Sequence, residues 1–235
     1  MALIRLDKML AHSGYGTRKE VKEIIRKGYV LVNGETIKND DFKVDDINDE
    51  IIIFGSELNY EDKIYLMLNK PSGYISATYD NYDKTVIDLI GDYKIKNPFP
   101  VGRLDKDSVG LLLITNDGML AHNLLSPKKH VDKTYYIEFD GNLTLDKIKK
   151  IEEGVTLDDG YHTHPSKYNI IDKNKGEIII DEGKFHQVKR MLEVVGCNVT
   201  YLKRIKFGPL ILDDNLKEGE YRLLSKEEIN NLLNR

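Results

Sequence analysis

Hydrophobic residues recur at helical spacing in two segments near the start of the chain. These residues are Leu6, Met9 and Leu10 in the first segment and Val21, Ile24 and Ile25 in the second. Gly14 and Gly16 interrupt the pattern, and Thr17 and Glu20 have the spacing of a capping box that begins the second helix. The run Tyr29–Gly34 ends in an Asn-Gly pair and predicts a β-hairpin. We therefore expect two short helices followed by a hairpin.

Farther along the chain, the apolar positions form short runs that are typical of strands. The clearest runs are Ile51–Phe54, Ile64–Asn69, Leu111–Thr115 and Val199–Phe207. The third run is short and lies among turn residues, which predicts a buried strand. A helical stripe returns between Gln187 and Val195. The chain thus combines strands and helices.

Polar residues cluster in the loop that precedes the predicted strand Leu111–Thr115. The loop carries Arg103, Asp105 and Asp107, and Asn116–Gly118 predicts a tight turn after the strand. Polar groups at the lip of a buried strand suit a site whose geometry must stay fixed. Periodicity alone, however, favours a simple ion pair between Arg103 and Asp105 over a catalytic role.

A second cluster of polar residues lies at the start of the helix predicted from Gln187. Lys189 and Arg190 are cations, and His186 becomes one when it is protonated. Cations are unfavourable beside the amino terminus of a helix unless they face an anion. This local conflict between sequence and helix dipole indicates a functional site.

The net charge of −4 conceals a strong segregation of charge along the chain. Residues 1–28 hold seven Lys or Arg against three acids, and residues 184–206 hold six against one. Residues 39–62 hold nine acids against one base. Basic patches of this kind can bind nucleic acid. For either patch alone, an ordinary solvated helix face is the simpler interpretation.

Composition narrows the class of protein. A length of 235 residues fits one or two domains, and Cys197 is the only cysteine, so no intramolecular disulfide is possible. The sequence contains no apolar run near 18 residues and no secretory leader, so we expect a cytoplasmic protein that does not bind membranes. His162 and His164 are a weak metal signal, and we expect no metal.

The motif Gly102–Asp105, followed by Gly110–Gly118, resembles the signature of the RNA pseudouridine synthases, in the branch that contains the RsuA-type and RluB-type ribosomal enzymes. The resemblance implies that Asp105 is the catalytic carboxylate. Lys133–Tyr135 is similar to the family's Lys-x-Tyr segment, which implies that Tyr135 stacks on the target base.

Gly183–Met191 resembles a second motif of the family, in which a basic residue pairs with the catalytic carboxylate. The resemblance places this residue at Lys189, with Arg190 as the close alternative. It also implies that Arg103 helps to hold the flipped nucleotide. Three further residues are expected to contact RNA or to lie near the cleft: Lys70, Lys133 and His186. The reaction is redox-neutral, so no cofactor is expected.

The segment from Arg5–Lys8 through Val30–Gly34 resembles an S4 RNA-binding domain that covers about residues 1–58. Such a domain would bind structured RNA through a basic helix face. The expected contacts are Arg5, Lys8, Arg18, Lys19, Lys22 and Arg26. A DNA-reading helix-turn-helix is the alternative, but it does not account for the hairpin.

Together, these resemblances predict an α+β protein. Residues 1–58 would form the S4-like domain, 59–63 a linker, and 64–235 a catalytic domain with a mixed, mainly antiparallel sheet and a basic cleft. The expected reaction is conversion of uridine to pseudouridine in small-subunit ribosomal RNA, by a monomer acting on structured ribosomal RNA or a pre-ribosomal particle. Three alternatives stay open: a large-subunit target, an inert RNA-binding protein, and a hydrolase that uses Asp105 and Asp107 as a carboxylate pair.

Overall fold

The computed structural model describes residues 3–46, 48–58, 60 and 63–234. In this part of the chain, every helix is too short or too polar to span a bilayer. The described residues divide into two compact units. The first unit is Met1–Ile64 with Asp92–Asn97, and the second is Tyr65–Gly91 with Pro98–Arg235.

The domain boundaries expected from the sequence, at residues 58 and 64, stay a prediction. Three residues of the expected linker, Asn59, Glu61 and Asp62, lie outside the described residues.

The first unit contains two α-helices and six short strands among its described residues, and most of a 3-10 helix (Gly91–Lys96). In chain order the α-helices and strands are β1 (Leu3–Arg5), α1 (Leu6–His12), α2 (Arg18–Arg26), β2 (Val30–Val32), β3 (Glu35–Thr36), β4 (Lys43–Asp45), β5 (Ile51–Ile53) and β6 (Ser56–Glu57). Strand β1 pairs with β4, and the other four form a sheet in the order β3-β2-β5-β6. The apolar residues predicted to form the helix stripes pack with the strands into one core.

The turns of the first unit follow the sequence signals closely. The Thr17 amide donates to Glu20 Oε2 at 2.7 Å, while the Glu20 amide donates to Thr17 Oγ1 at 3.4 Å, so the predicted capping box is confirmed. Asn33 and Gly34 have φ values of 50° and 81°. Positive φ at both central residues is what a two-residue hairpin turn requires, and the predicted hairpin is confirmed between β2 and β3.

The basic face of α2 is largely paired with carboxylates inside its own unit. Arg18 Nη2 lies 3.1 Å from Asp7 Oδ2, and Arg26 Nη2 lies 2.8 Å from Asp40 Oδ2. Lys22 lies between the two carboxylates, 3.9 Å from Asp7 and 3.6 Å from Asp40. Cations that are paired internally have less charge to offer an external anion than the sequence pattern suggests.

Asp7 is the buried centre of this network. Its side chain is inaccessible to solvent. Burial alone would raise the pKa of Asp7, but hydrogen bonds from Arg5 and Arg18 hold that pKa below its ordinary value. Arg5, which was expected to contact RNA, also forms an ion pair with Asp41.

The second unit is built on one large sheet. Its described elements are β7 (Tyr65–Lys70), β8 (Phe99–Val101), β9 (Val109–Thr115), α3 (Gly118–Leu125), β10 (Lys133–Gly141), α4 (Leu145–Glu153), β11 (Lys167–Asp172), β12 (Lys175–Ile180), α5 (Gln187–Val194), β13 (Cys197–Phe207), β14 (Leu210–Ile211), β15 (Tyr221–Leu223) and α6 (Lys226–Leu233).

The nine described strands of this unit form a sheet in the order β11-β12-β10-β13-β9-β7-β15, with β14 beside β13 and β8 beside β9. Among the described pairs, β9 and β13 run parallel and the others antiparallel. The expected mixed, mainly antiparallel sheet is therefore confirmed. Strand β9 is buried along its whole length, as its apolar run predicted.

The segment after β9 differs from the tight turn expected at Asn116–Gly118. Asp117 instead caps the amino terminus of α3, because its carboxylate accepts hydrogen bonds from the amides of Met119 and Leu120, both at 3.1 Å. Asp is a favoured residue at this capping position as well as in turns, so the residue signal is the same for both structures.

One row of residues crosses the sheet from strand to strand. Gly110 in β9 is in register with Lys70 in β7 and with Arg204 in β13. Arg204 is in turn opposite Tyr135 in β10. Gly110 has φ of 103°, and a Cβ atom there would lie 2.4 Å from the carbonyl oxygen of Arg204. The row can therefore form only with glycine at position 110.

We predict that Gly110→Ala lowers the free energy of unfolding by more than about 3 kcal/mol, because backbone atoms of β13 cannot move away from the new methyl group. Urea unfolding measures this loss. Gly118→Ala is the matched control, since a Cβ atom there meets no atom within 4 Å. Equal stability of the two variants would contradict the close pairing of β9 with β13.

Candidate active site

The loop that carries Asp105 is pinned at several points to the segment after β7. Ser76 Oγ accepts from the Leu104 amide and donates to the Leu104 carbonyl, both at 2.9 Å. The Gly73 amide donates to the Lys106 carbonyl at 2.8 Å. The loop is thus held by main-chain contacts on both sides of Asp105.

Lys70 holds the same loop from below. Its side chain is fully buried, and its ammonium group donates to the carbonyl oxygens of Ser108 at 2.7 Å, Pro71 at 3.1 Å and Lys106 at 3.3 Å. Burial lowers the pKa of Lys70 to about 8, although Asp107 and Asp105 oppose the shift. The expectation that Lys70 contacts RNA is wrong, because its buried ammonium group already donates to three carbonyl oxygens and Lys70 is not part of the cleft lining described below. Its expected position near the cleft agrees with the structure.

Two basic side chains from the region of α5 approach Asp105. Lys189 Nζ lies 3.4 Å from Asp105 Oδ2, and His186 Nε2 lies 3.6 Å from Asp105 Oδ1. The Asp105 side chain is 25% exposed, which leaves it open to a ligand. The carboxylate therefore lies between a lysine, an imidazole and solvent.

Lys189 is shared between two carboxylates. Its ammonium group donates to Asp107 at 2.7 and 2.8 Å, closer than its approach to Asp105. Burial would raise the pKa of Asp107, but the hydrogen bond from Lys189 holds that pKa below its ordinary value. Lys189 therefore lies within ion-pair distance of Asp105, as the resemblance implied. Asp107 is an additional partner that was not expected from the sequence.

Arg190 does not supply the alternative cation. Its Nε donates to Asp158 Oδ1 at 2.6 Å, and its Nη2 lies 2.8 Å from Asp159 Oδ2. Successive residues of a helix project about 100° apart, so only one of Lys189 and Arg190 can face Asp105. The expectation that Arg190 could pair with Asp105 is wrong.

The Asp105 carboxylate faces a cleft of about 1050 Å³ whose wall includes Tyr135. Tyr135 is 7% exposed, while its neighbour Tyr136 points to the other side of β10 and donates to Glu138 at 2.6 Å. Neighbouring strand residues point to opposite faces, as expected for this pair.

Arg103 and Lys133 also line the cleft. Within the described residues, no carboxylate lies within ion-pair distance of Arg103, so the simple ion pair with Asp105 is absent. Lys133 donates to the Val131 carbonyl at 2.8 Å. The lining also contains Asp181 and Glu182, so the expected basic cleft carries charges of both signs.

The histidines singled out in the sequence do not converge on one point. His162 Nδ1 lies 3.1 Å from Thr156 Oγ1. His164 instead lies 3.0 Å from Asp181 Oδ1, and His130 approaches Asp181 Oδ2 at 2.8 Å. His130, His164 and Asp181 could together hold a divalent cation. Their hydrogen bonds also satisfy one another without a metal.

Two features of the site were missed from the sequence. His130 approaches Asp181 across 51 positions of chain, and no local pattern signals that pairing. Arg204 is buried at 1% exposure and lines the cleft. A signal did exist here, because alternation along β13 places Arg204 on the same face as the buried Leu202.

We predict that Lys70→Met lowers the free energy of unfolding by about 1–3 kcal/mol, because buried carbonyl groups lose their donor. The folded-state pKa of about 8 lies below the ordinary value of 10.5, so the unfolded state binds more protons between these values. Wild-type stability therefore rises relative to Lys70→Met as pH increases through this range.

Urea unfolding of both proteins at pH 7 and pH 9.5 measures this difference. Lys150→Met, at an exposed position, is the control and should stay within about 0.5 kcal/mol of wild type at both pH values. A difference between wild type and Lys70→Met that does not grow with pH would contradict the lowered pKa.

Comparisons with known families agree with the site. Residues 64–194 match the family described as RNA pseudouridylate synthase, and residues 4–51 match the S4 domain. An uncharacterized RNA pseudouridine synthase of Bacillus subtilis (strain 168) is 47% identical, with 98% of each chain covered. A crystal structure of a pseudouridylate synthase is 35% identical, with a TM-score of 0.69, and covers 97% of this chain and 99% of its own.

Two further relatives are named for specific ribosomal subunits. Ribosomal small subunit pseudouridine synthase A of Vibrio parahaemolyticus is 36% identical, covering 98% of this chain and 100% of its own. Ribosomal large subunit pseudouridine synthase B of Bacillus subtilis (strain 168) is also 36% identical, covering 97% and 95%. Since the family match spans more than half of the chain, the chain belongs to the RNA pseudouridylate synthase family and is an RNA pseudouridine synthase with an S4 domain.

Proposed function

We propose that this enzyme converts a specific uridine of small-subunit ribosomal RNA to pseudouridine, with Asp105 as its catalytic carboxylate. One observation carries the assignment of Asp105: it faces the cleft whose wall contains Tyr135, with Lys189 at 3.4 Å. These three residues come from sites far apart in the sequence, and the resemblance had linked each of them to the reaction.

In this proposal, the target uridine leaves its stack to enter the cleft, at a cost of a few kcal/mol. Tyr135 replaces part of the lost stacking, which is worth about 1–3 kcal/mol per base. Asp105 then meets the ribose and the base. The C1′–N1 bond breaks, the uracil turns, and a C1′–C5 bond forms, while a proton leaves C5 and N1 gains one.

Charge around Asp105 supports its role in these steps. Lys189 and His186 both approach its carboxylate, one at each oxygen, and can orient it. Lys70 and Ser76 hold the loop, so the carboxylate keeps its position while the base turns. Catalysis by a positioned group depends on this fixed geometry.

The choice of subunit rests on a resemblance in the end of the chain. Leu212–Arg222 and the compact length look most like the small-subunit, RsuA-type enzymes. The two relatives named for opposite subunits are equally identical to this chain. Ribosomal RNA as substrate also implies action in the cytoplasm.

Pseudouridine mapping of both ribosomal RNAs tests the proposal. RNA from cells that lack the protein is compared with RNA from cells that regain it. We expect one uridine of small-subunit RNA to change, with no change of mass and no released base. A change confined to large-subunit RNA would overturn the choice of subunit, and free uracil would indicate a hydrolase instead.

We predict that Asp105→Asn slows pseudouridine formation by at least about 100-fold, because the reaction loses its carboxylate. RNA binding should persist, and a filter-binding assay measures it. Asp83→Asn is the control, since Asp83 lines the same cleft and loses the same charge. Turnover by Asp105→Asn equal to that of the control would refute the catalytic assignment.

We further predict that Lys8→Ala with Lys19→Ala reduces the salt dependence of RNA binding. Both lysines are exposed, and neither forms an ion pair with any described residue, unlike Arg18, Lys22 and Arg26. Removing two phosphate contacts should reduce the slope of log K against log salt by about 1.4–1.8.

Binding at several salt concentrations measures this slope. Lys149→Ala with Lys150→Ala, on α4, removes the same charge from the other unit and should leave the slope nearly unchanged. If both double variants had the same slope, the S4 face would not be the RNA-binding surface.

A further inference from the structure

Arg204 is a buried arginine with an unused hydrogen-bond donor. It is 1% exposed, and its Nε donates to the Leu111 carbonyl at 2.7 Å. Its guanidinium carbon lies 5.2 Å from the centre of the Phe207 ring. Nη2 is buried and has no hydrogen-bond partner among the described residues. A buried donor without an acceptor is costly, so an acceptor is expected from outside the protein.

The position of Arg204 limits what that acceptor can be. Arg204 lies opposite Tyr135 in the sheet, and both line the cleft. The cleft lining also includes the apolar side chains of Ile180, Val188 and Leu202. A phosphate keeps its charge and its water, and it is poorly suited to an apolar wall. A stacked base is well suited to this wall, and the acceptors of uracil are its two carbonyl oxygens.

We propose that Arg204 donates through Nη2 to the O4 carbonyl oxygen of the target uracil and thereby selects uridine over cytidine. This inference rests on the proposed function and adds a specificity-determining residue to it. Cytosine carries an amino group in place of one carbonyl. A guanidinium facing that amino group would leave two donors opposed, which a buried site rejects strongly.

The symmetry of uracil strengthens this assignment. A half-turn about the line from N3 to C6 exchanges N1 with C5, which is the exchange the reaction requires. The same turn exchanges the two carbonyl oxygens. One fixed donor can therefore hold the base before the turn and again after it, so Arg204 need not move during the reaction.

A cycle of enzyme and substrate changes tests the proposal. The substrates are RNA fragments with either uridine or 4-thiouridine at the mapped target, each tritiated at C5, and the rate is that of tritium release. Sulfur accepts hydrogen bonds weakly. For the wild type we expect 4-thiouridine to lower kcat/KM by about 10-fold, and for Arg204→Met by less than about 2-fold.

Lys203→Met is the matched control, because Lys203 is the neighbour of Arg204 on the other face of β13. It should show the same sulfur effect as the wild type. If Arg204→Met does not fold, Arg204→Lys takes its place, since lysine keeps the charge and loses the fork of donors. A sulfur effect of equal size in wild type and variant would overturn the proposal.

Two other outcomes are separable. A phosphorothioate at the target that costs the wild type more than 4-thiouridine, and costs Arg204→Met nothing, would overturn the base contact and assign Arg204 to the backbone. Failure of the wild type to release tritium from any uridine of either ribosomal RNA would refute the proposed function itself. If 4-thiouridine has the same effect in wild type and Arg204→Met, while RNA without 4-thiouridine releases tritium normally, only the role of Arg204 is refuted.

Discussion

The close approach of β9 and β13 at Gly110 is the constraint on which the rest of the second unit depends. Gly110 has a Cβ-free backbone at φ of 103°, and it lies between Lys70 on one side and Arg204 on the other. The first of these cations holds the loop of Asp105, and the second lies beside Tyr135. One glycine thus allows Lys70, Arg204 and Tyr135, each from a different strand, to lie in a single row across the sheet.

In both units, several basic side chains form ion pairs with carboxylates of the same unit, and selected charged groups remain open to a ligand. In the first unit, Asp7 and Asp40 take up much of the charge of α2. In the second unit, the Lys189 ammonium group lies 2.7 Å from Asp107 and 3.4 Å from Asp105, so its interaction with Asp105 is the weaker one. A carboxylate that is approached by cations but bonded tightly to none remains available to a substrate.

Local structure was predictable from the sequence, whereas the long-range pairings of the site were not. The stripe of α2, its capping box and the turn at Gly34 depend on neighbours within a few residues, so their patterns are visible in the sequence. The burial of Lys70 depends on a loop 36 positions away, and the partners of Arg190 lie about 30 positions away. Periodicity carries no information about such distances. The family resemblance supplied Asp105 and Lys189 because a motif records the outcome of tertiary contacts that spacing cannot derive.

The proposed reaction needs a fixed carboxylate and a base that turns, and two different features of the second unit would meet these two demands. The loop of Asp105 is held by hydrogen bonds between its main-chain groups and the side chains of Lys70 and Ser76. Side-chain substitutions in the loop therefore leave most of its anchoring intact. The cleft itself, at about 1050 Å³, is larger than a single base needs. Under the proposal, this space would allow uracil to rotate without movement of the sheet. Under the proposal, selectivity then depends on polar side chains that line this space, such as Arg204, and not on a tight fit around the base.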